Sequence, residues 1–233
     1  SDAVFHHVQQ LPEVLSPLVQ KNTEVKAIGV STCPRRIEGS YMPCFTVGQN
    51  LAEILSGVYG VSCYSFSHQE GHIVAALYSA EKLSLLGQRF LAFHVSGGTT
   101  EAVLVSPQKD NLLHTDLVAS SLDLKGGQAV DRVGAMLGLK FPAGKELEKL
   151  ALSTDRDFQI KPSMKGRDCS LSGIENKCQK MLKDGFSKPE IARYCLQSIL
   201  AALDGMCGLL LKEYGDLPVL FAGGVMSNSI IRE

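Results

Sequence analysis

Two histidines four residues apart lie in the stretch Ser67-His-Gln-Glu-Gly-His72. On a helix, residues at i and i+4 share one face, so the imidazoles of His68 and His72 could bind one divalent metal ion. Glu70 falls on another face of that helix, which predicts a supporting or structural role for its carboxylate. By itself, this spacing is more often a hydrogen-bonded histidine pair on a helix than a metal site.

A second motif, His94-Val-Ser-Gly-Gly-Thr-Thr100, leads a predicted strand into a turn that lacks Cβ atoms at Gly97 and Gly98. Bare backbone N–H groups in such a turn suit the close approach of a phosphate or another anion. The alternative is an ordinary β-hairpin closed by a Gly-Gly turn. His94 stands on an apolar strand, where a single histidine is usually structural.

Three further motifs combine glycine turns with predicted helix starts. In Asp123-Leu-Lys-Gly-Gly-Gln-Ala-Val-Asp131 a Gly-Gly step precedes a helix, whose N-terminus attracts anions, and Asp131 lies a turn inside. Pro142-Ala-Gly144 precedes another helix. Phe221-Ala-Gly-Gly-Val-Met-Ser-Asn228 is a strand that runs into glycines and can seat an adenine or ribose against bare backbone. Each motif by itself also fits an ordinary loop or helix cap.

The elements that must position these motifs alternate between strand and helix, which indicates an α/β chain. We predict a division near Gln88–Arg89, with an N-terminal lobe at 1–89 and a C-terminal lobe at 90–233. Strands are predicted at 25–30, 61–66, 90–95, 101–105, 112–120 and 217–221. Helices are predicted at 4–19 (interrupted by Pro12 and Pro17), 45–59, 68–85, 127–137, 145–152, 172–182 and 189–213, with a last one starting at 227–228.

Composition limits the function classes. The chain has 233 residues, 45% of them apolar, and a net charge of −1, which argues against a disordered tail or a strongly basic nucleic-acid binder. The segment Lys161–Lys188 carries seven basic residues against three acidic ones, and we interpret it as a solvated helix face.

Seven scattered cysteines without a Cys-x-x-Cys pair argue against a zinc ribbon or a disulfide framework, and fit the reducing cytoplasm. We expect no membrane span, since Asp204 and two glycines interrupt the longest apolar stretch, Ile191–Leu211. The sequence therefore predicts a cytoplasmic protein that does not bind a membrane.

Taken in order, the motifs resemble those of the TsaD/Gcp family, once called O-sialoglycoprotein endopeptidases or glycoproteases. The series is His-x-Glu-Gly-His, Val-Ser-Gly-Gly, Gly-x-x-x-Asp, Pro-x-Gly, Ser-Leu-Ser-Gly-Ile174 and Gly-Gly-Val-x-x-Asn. The resemblance implies the fold shared by actin, sugar kinases and heat-shock chaperone ATPases (ASKHA), in which two lobes close over a nucleotide.

The resemblance also implies an activity, the transfer of a threonylcarbamoyl group from its adenylate to N6 of an adenosine in tRNA, which forms t6A. It implies one iron or zinc ion per subunit at His68 and His72, and His94 is a hypothesised third ligand where some relatives place a tyrosine. It assigns no covalent nucleophile. ATP or threonylcarbamoyl-adenylate would contact Val95, Ser96, Gly97, Gly98, Gly127, Asp131, Gly144, Gly223, Gly224 and Asn228.

The chain departs from the family pattern at several points. The family's Asp-Asp-Ala-Ala-Gly-Glu run stands here as Asp123-Leu-Lys-Gly-Gly-Gln128, which removes a charge near the nucleotide. The family's first strand and the C-terminal aspartate that completes its metal site are absent. We therefore expect a divergent bacterial paralogue that is truncated at both ends.

Three functions stay open at this level. The first is the transferase, with tRNA as substrate. The second is a non-catalytic nucleotide-binding or scaffold subunit. For either, the expected partner is a related actin-like subunit of the t6A system or a second copy of the chain. The third, a metalloprotease, ranks last because no Ser/His/Asp arrangement is identifiable and Glu70 is poorly placed as a base.

Overall fold

The computed structural model describes residues 2–19, 24–109 and 113–232, and the chain divides into two compact units, Ser1–Ser79 and Ala80–Glu233. This division lies ten residues before the predicted one at 89. The predicted helix from His68 ends at Ser79, and Leu83–Gly87 forms a 3-10 helix that packs against the strand Thr100–Pro107. The segment at 80–89 therefore belongs to the second unit.

The N-terminal unit alternates helix and strand, in the order α1 (Asp2–Leu15), β1 (Ile28–Cys33), α2 (Cys44–Tyr59), β2 (Cys63–Ser67) and α3 (His68–Ser79). The two strands pair in parallel, and the pairing begins at Ile28 opposite Cys63. The prediction of a strand at 25–30 was therefore three residues early, because the extent of β2 decides where β1 starts and ends. Pro12 lies inside α1 without ending it.

The C-terminal unit is built on a four-stranded sheet of β3 (Phe90–Val95), β4 (Thr100–Pro107), β5 (Leu113–Ser120) and β8 (Val219–Ala222). The strand order is β5-β4-β3-β8. The first three strands form an antiparallel meander, and β8 pairs in parallel with β3. The bounds of β3 agree with the prediction, and this strand lies inside the sheet with a neighbour on each side.

Helices cover this sheet and surround the core. They are α4 (Gly126–Met136), α5 (Gly144–Ala151), α6 (Ser172–Lys183), α7 (Lys188–Tyr214) and α8 (Ser229–Arg232). A short hairpin of β6 (Met164–Lys165) and β7 (Asp168–Cys169) and a 3-10 helix at Gly224–Ser227 were not predicted. Leu91, Phe93 and Val95 of β3 point into a core cluster shared with α4, α5, α6 and α7.

Helix α7 is the central helix of the C-terminal unit. Ser187 and Glu190 form a reciprocal capping box at its start, which closes the first turn. Within the described residues it is the one helix long and apolar enough, by length and composition, to cross a membrane. The sequence predicted no such run, but one face of α7 is buried against α4, α5 and α6, as in the core helix of a globular unit.

Asp123 joins the end of the meander to α6. Its Oδ1 accepts the N–H of Leu171 at 2.8 Å and of Ser172 at 3.3 Å, and its Oδ2 accepts the Ser172 hydroxyl at 2.6 Å. Burial opposes ionisation of this carboxyl group, but the hydrogen bonds, that of the Ser172 hydroxyl first, outweigh it and lower the pKa of Asp123. Asp123 thus caps α6 from 48 residues away in the sequence.

We expect Asp123→Ala to lower the free energy of unfolding at pH 7 by about 1–2 kcal/mol, the usual effect of losing a helix cap. Because the native pKa of Asp123 is below its ordinary value of 3.8, this stabilisation is full above that value. It is lost as the pH falls through the native pKa. Urea unfolding from pH 7 to pH 2.5 measures the difference between the two proteins.

The matched control is Asp216→Ala, an exposed carboxylate on the same unit. Its effect should stay within about 0.5 kcal/mol at every pH. An equal loss in both variants, or a difference between wild type and Asp123→Ala that does not decrease as the pH falls below 3.8, would contradict the capping role of Asp123.

Candidate functional site

The turn between β3 and β4 carries the first of the predicted ligand residues. The Ser96 N–H donates to the Thr99 carbonyl at 2.7 Å, and the Thr99 N–H donates to the Ser96 hydroxyl at 3.1 Å, so the turn closes on itself. A Cβ added at Gly97 or Gly98 would meet no heavy atom within 4 Å. The turn therefore presents bare backbone to open space, as a turn that binds an anion requires.

The start of α4 packs directly onto this turn. The Gly126 N–H donates to the Thr100 hydroxyl at 2.8 Å, and the Gly127 N–H donates to the Ser96 carbonyl at 3.0 Å. A Cβ at Gly127 would lie 2.7 Å from the N and Cα of Gly97. The sequence interpretation of this Gly-Gly step as an anion-binding helix N-terminus needs correction, because the structure uses these two amides to hold the turn.

The end of β8 contacts the end of β3, just before the β3–β4 turn. Gly223 has φ 105°, and a Cβ there would overlap the carbonyl oxygen of Val95. A side chain at this position is therefore excluded both by backbone conformation and by space. Gly224, the next residue, has open space around its Cα.

A cavity of about 630 Å³ opens beside this junction. It is of the size that small-molecule sites usually have. The predicted ligand residues that line it are Gly97, Gly127, Asp131, Gly144, Gly224 and Asn228. Val95, Ser96, Gly98 and Gly223 are not among its lining residues, and Val95 is fully buried behind the turn.

Asp131 holds one wall of the cavity. Its Oδ1 accepts the N–H of Ala143 at 2.8 Å, which fixes the Pro142-Ala-Gly144 turn at the start of α5. This bond uses one of the two carboxylate oxygens, and the residue still lines the cavity. A carboxylate in this position suits the hydroxyl groups of a ribose better than it suits a phosphate.

Asn228 holds a second part of the cavity wall, at the start of α8. Its Oδ1 accepts the N–H groups of Ile230 and Ile231 at 3.1 and 3.3 Å, so the side chain caps α8. The buried side chain also lines the cavity, to which its Nδ2 amide can offer hydrogen bonds.

A residue that the sequence did not single out ties the two walls together. The Glu148 Oε1 on α5 accepts both the N–H and the hydroxyl of Ser229, at 2.7 and 2.6 Å. Glu148 also lines the cavity, together with Lys145 and Glu146. The contact joins two residues that are 81 positions apart in the chain, and no local sequence pattern predicts it.

Gln128, which stands where the motif resemblance predicts a glutamate, has a structural contact. Its Oε1 accepts the N–H of Lys125 at 3.0 Å, which satisfies an amide just before α4. Gln128 is not among the residues that line the cavity.

The histidine pair lies on the exposed side of the first turns of α3. The Nε2 atoms of His68 and His72 are 3.0 Å apart, and both rings are exposed. In neither unit do three His, Cys, Asp or Glu side chains converge as metal ligands, as far as the described residues go. The described residues of the N-terminal unit therefore offer two candidate metal ligands at this position, His68 and His72.

Glu70 is a structural residue of α3. Ser67 and Glu70 cap the helix reciprocally, since the Glu70 N–H donates to the Ser67 hydroxyl at 3.1 Å and the Ser67 N–H donates back to the Glu70 carboxylate. The Nε of Arg36 donates to both carboxylate oxygens at 2.9 Å, and Glu70 is only 2% exposed. The Ser-x-x-Glu spacing is a capping-box signature that the sequence already carried.

His94 belongs to the C-terminal unit, on β3. It lies opposite Glu101 of β4 and beside Ala222 of β8, and its Cδ2 would be 3.0 Å from a Cβ at Gly223. Its part in a three-histidine metal site stays a prediction.

The comparisons with known proteins confirm the predicted fold class, the actin-like fold shared by the ASKHA proteins. Two solved structures of HypF share the fold at 12% sequence identity. The one from T. kodakarensis superposes with a TM-score of 0.67 and covers 97% of this chain and 38% of its own. The full-length form with phosphate and nucleotide gives 0.65, over 97% of this chain and 43% of its own.

Within that class, the chain belongs to the TsaD family, tRNA N6-adenosine threonylcarbamoyltransferase, whose model matches residues 1–233. The family resemblance of the motifs is thereby confirmed. A relative of that name from Lactobacillus gasseri is 27% identical over 98% of this chain and 66% of its own length. One from Thermus thermophilus is 30% identical over 80% of this chain and 56% of its own length. The chain thus spans less than two thirds of either relative.

We expect Gly127→Ala to destabilise the protein by about 2–3 kcal/mol, because the new Cβ would push the Ser96–Gly97 turn away from α4. Helix propensity alone would favour alanine, so the sign of the change distinguishes the two effects. Gly98→Ala, with open space around it, should stay within about 0.5 kcal/mol. Chemical denaturation of both variants measures this, and a stable Gly127→Ala protein would refute the packing argument.

Proposed function

We propose that this protein is a threonylcarbamoyltransferase that acts on N6 of an adenosine in tRNA, and that the cavity of the C-terminal unit binds the adenylate donor. The observation that carries the proposal is the cavity itself. Residues from four separate motifs, Gly97, Asp131, Gly144 and Asn228, line one space of about 630 Å³. That volume fits a nucleotide-sized ligand.

The residues that line the cavity suit the separate parts of an adenylate. The phosphate would lie at the open backbone of Gly97, where no side chain blocks a close approach. The ribose hydroxyls would donate to the carboxylate of Asp131. The adenine would lie against Gly224 and Val225, with the Asn228 amide in reach of its nitrogens.

In the proposed reaction, N6 of the tRNA adenosine attacks the carbamoyl carbonyl carbon of threonylcarbamoyl-adenylate. A carbon–nitrogen bond forms, the bond from that carbon to the phosphate oxygen breaks, AMP leaves, and N6 loses one proton. The chain's own residues bind and orient the donor, which lowers the barrier through proximity. No residue is required as a covalent nucleophile.

We propose His68 and His72, which lie four residues apart on α3, as ligands of one iron or zinc ion. Two imidazoles on one helix face are a common pair of ligands for such an ion. The Nε2 atoms lie 3.0 Å apart, close enough for both to hold one ion, and this distance also suits an N–H···N hydrogen bond. A bound ion would supply Lewis acidity.

The alternative function is a non-catalytic nucleotide-binding or scaffold subunit of the same system. The observation that favours it is Gln128, a neutral helix-start residue in place of the family's acidic one. In either case the proposed location is the cytoplasm, and the partner is a related actin-like subunit or a second copy.

Asn228→Asp tests the proposal with the least damage to the fold. Aspartate keeps the oxygen that caps α8 and replaces the Nδ2 donor with an oxygen. We expect at least a tenfold weaker binding of a stable adenylate analogue by calorimetry, while a single cooperative urea transition shows that the variant is folded under the assay conditions. In a strain that lacks the modification, the wild-type gene should restore t6A in nucleoside mass spectrometry and the variant should restore little.

Asp216→Asn, which changes an exposed carboxylate outside the cavity lining, serves as the control and should match wild type in both assays. Soluble wild-type protein that binds the analogue but restores no t6A would contradict the transferase and support the non-catalytic alternative. Failure of the wild type to bind the analogue would overturn both.

The metal proposal has its own test. After equilibrium dialysis against zinc, wild-type protein should retain about one ion per chain by mass spectrometry, and the His68→Ala/His72→Ala variant should retain none. The control is His114→Ala, which removes an exposed histidine of β5. Retention of the ion by the double variant would rule out this pair as its ligands.

A further inference from the structure

Helix α6 carries three lysines at intervals of three residues, Lys177, Lys180 and Lys183, and all three are exposed. We call them the α6 lysine surface. Each step of three residues turns about 60° back around a helix, so the three side chains cover about 120° of its outward half and about 9 Å of its length. Lys161 is adjacent, since it lines one small cavity with Gly173 at the start of α6.

These lysines differ from the other charged residues around them. Arg132 pairs with Glu175 at 3.1 Å, and Arg167 pairs with Glu213 at 2.9 Å. In contrast, among residues 2–19, 24–109 and 113–232 no carboxylate forms an ion pair with any lysine of the α6 lysine surface. The acidic members of the segment 161–188 thus leave a local excess of positive charge on one face.

The remaining exposed residues of α6 indicate which polyanion fits this face. Ser172, Asn176 and Gln179 lie on the outward side among the lysines. Lysines with small polar side chains are the residues that contact nucleic-acid phosphates and sugars. Protein interfaces instead bury apolar and aromatic residues and are depleted in lysine, and the exposed large apolar residue of α6 is Leu182.

The position of α6 agrees with that chemistry. The helix packs against α4, which lines the cavity with Gly127 and Asp131, and the Arg132–Glu175 pair joins the two helices. An RNA held along α6 thus lies one helix away from the proposed donor site.

We propose that the α6 lysine surface binds the phosphate backbone of the tRNA substrate. The inference rests on the proposed function for the identity of the RNA. It replaces the interpretation of this segment as a merely solvated helix face. Three phosphate contacts account for a slope of about 2–3 in log Kd against log salt.

The test is fluorescence anisotropy with a labelled tRNA transcript between 50 and 300 mM KCl. The Lys177→Glu/Lys180→Glu/Lys183→Glu variant should bind at least tenfold more weakly at 100 mM KCl, with a salt slope lower by about 2. The corresponding glutamine variant should show a smaller loss in the same direction. Glutamates near the C-terminal end of α6 interact unfavourably with the helix dipole and could prevent folding. In that case the glutamine variant still tests the proposal.

The control variant is Lys26→Glu/Lys82→Glu/Lys140→Glu, which also changes the net charge from −1 to −7 (three replacements of −2 each) but lies elsewhere on the surface. It should weaken tRNA binding less than twofold. Equal losses in the two triple variants would show an effect of net charge only and would overturn the proposal. A loss of binding to labelled poly-glutamate with tRNA binding intact would also overturn it, in favour of an acidic protein partner.

Binding of the adenylate analogue separates this inference from the proposed function. The α6 variants should bind the analogue as wild type does, because no residue of the α6 lysine surface lines the cavity. If wild-type protein binds the analogue but not tRNA, the α6 proposal fails and the donor site stands.

Discussion

The close approach of three backbone segments at the carboxyl end of β3 is the constraint on which the C-terminal unit depends. The β3–β4 turn, the first turn of α4 and the end of β8 touch there without intervening side chains. Gly127 makes one contact possible and Gly223 the other. Since helix, hairpin and parallel strand are all positioned from this junction, the walls of the neighbouring cavity are positioned from it as well.

Those walls are stabilised by the same residues that would offer groups to the proposed ligand. Asp131 uses one oxygen to hold the turn before α5, and Asn228 uses its oxygen to cap α8. Glu148 then joins α5 to Ser229. Stability and the proposed binding would therefore be coupled at these positions, and an alanine replacement would change both at once. Isosteric replacements separate them, because they change one heteroatom and leave the other contact in place.

The sequence predicted the elements well where one local pattern dominates. The strand β3 is continuous and apolar, and α2, α4 and α6 follow helical periodicity to within a residue or two. The prediction failed where a contact with a residue distant in the sequence determines the position or the bounds of an element. The extent of β1 depends on its pairing with β2, and no local pattern places α6 under Asp123 or Ser229 beside Glu148. The Ser-x-x-Glu spacing of the Ser67–Glu70 capping box is present in the sequence, but the sequence analysis interpreted this stretch through its two histidines and did not predict the cap.

That capping box has a consequence for how a metal would behave at His68 and His72. Ser67 and Glu70 cap the first turn of α3, and Arg36 pairs with the Glu70 carboxylate. Both imidazoles therefore extend from a helix whose start is stabilised without them. In small zinc domains, by contrast, ion binding and chain folding are one event. Here the ion could exchange with solvent, because the helix that carries its ligands is already folded without it. Its loss or replacement would change reactivity and leave the architecture of the N-terminal unit intact.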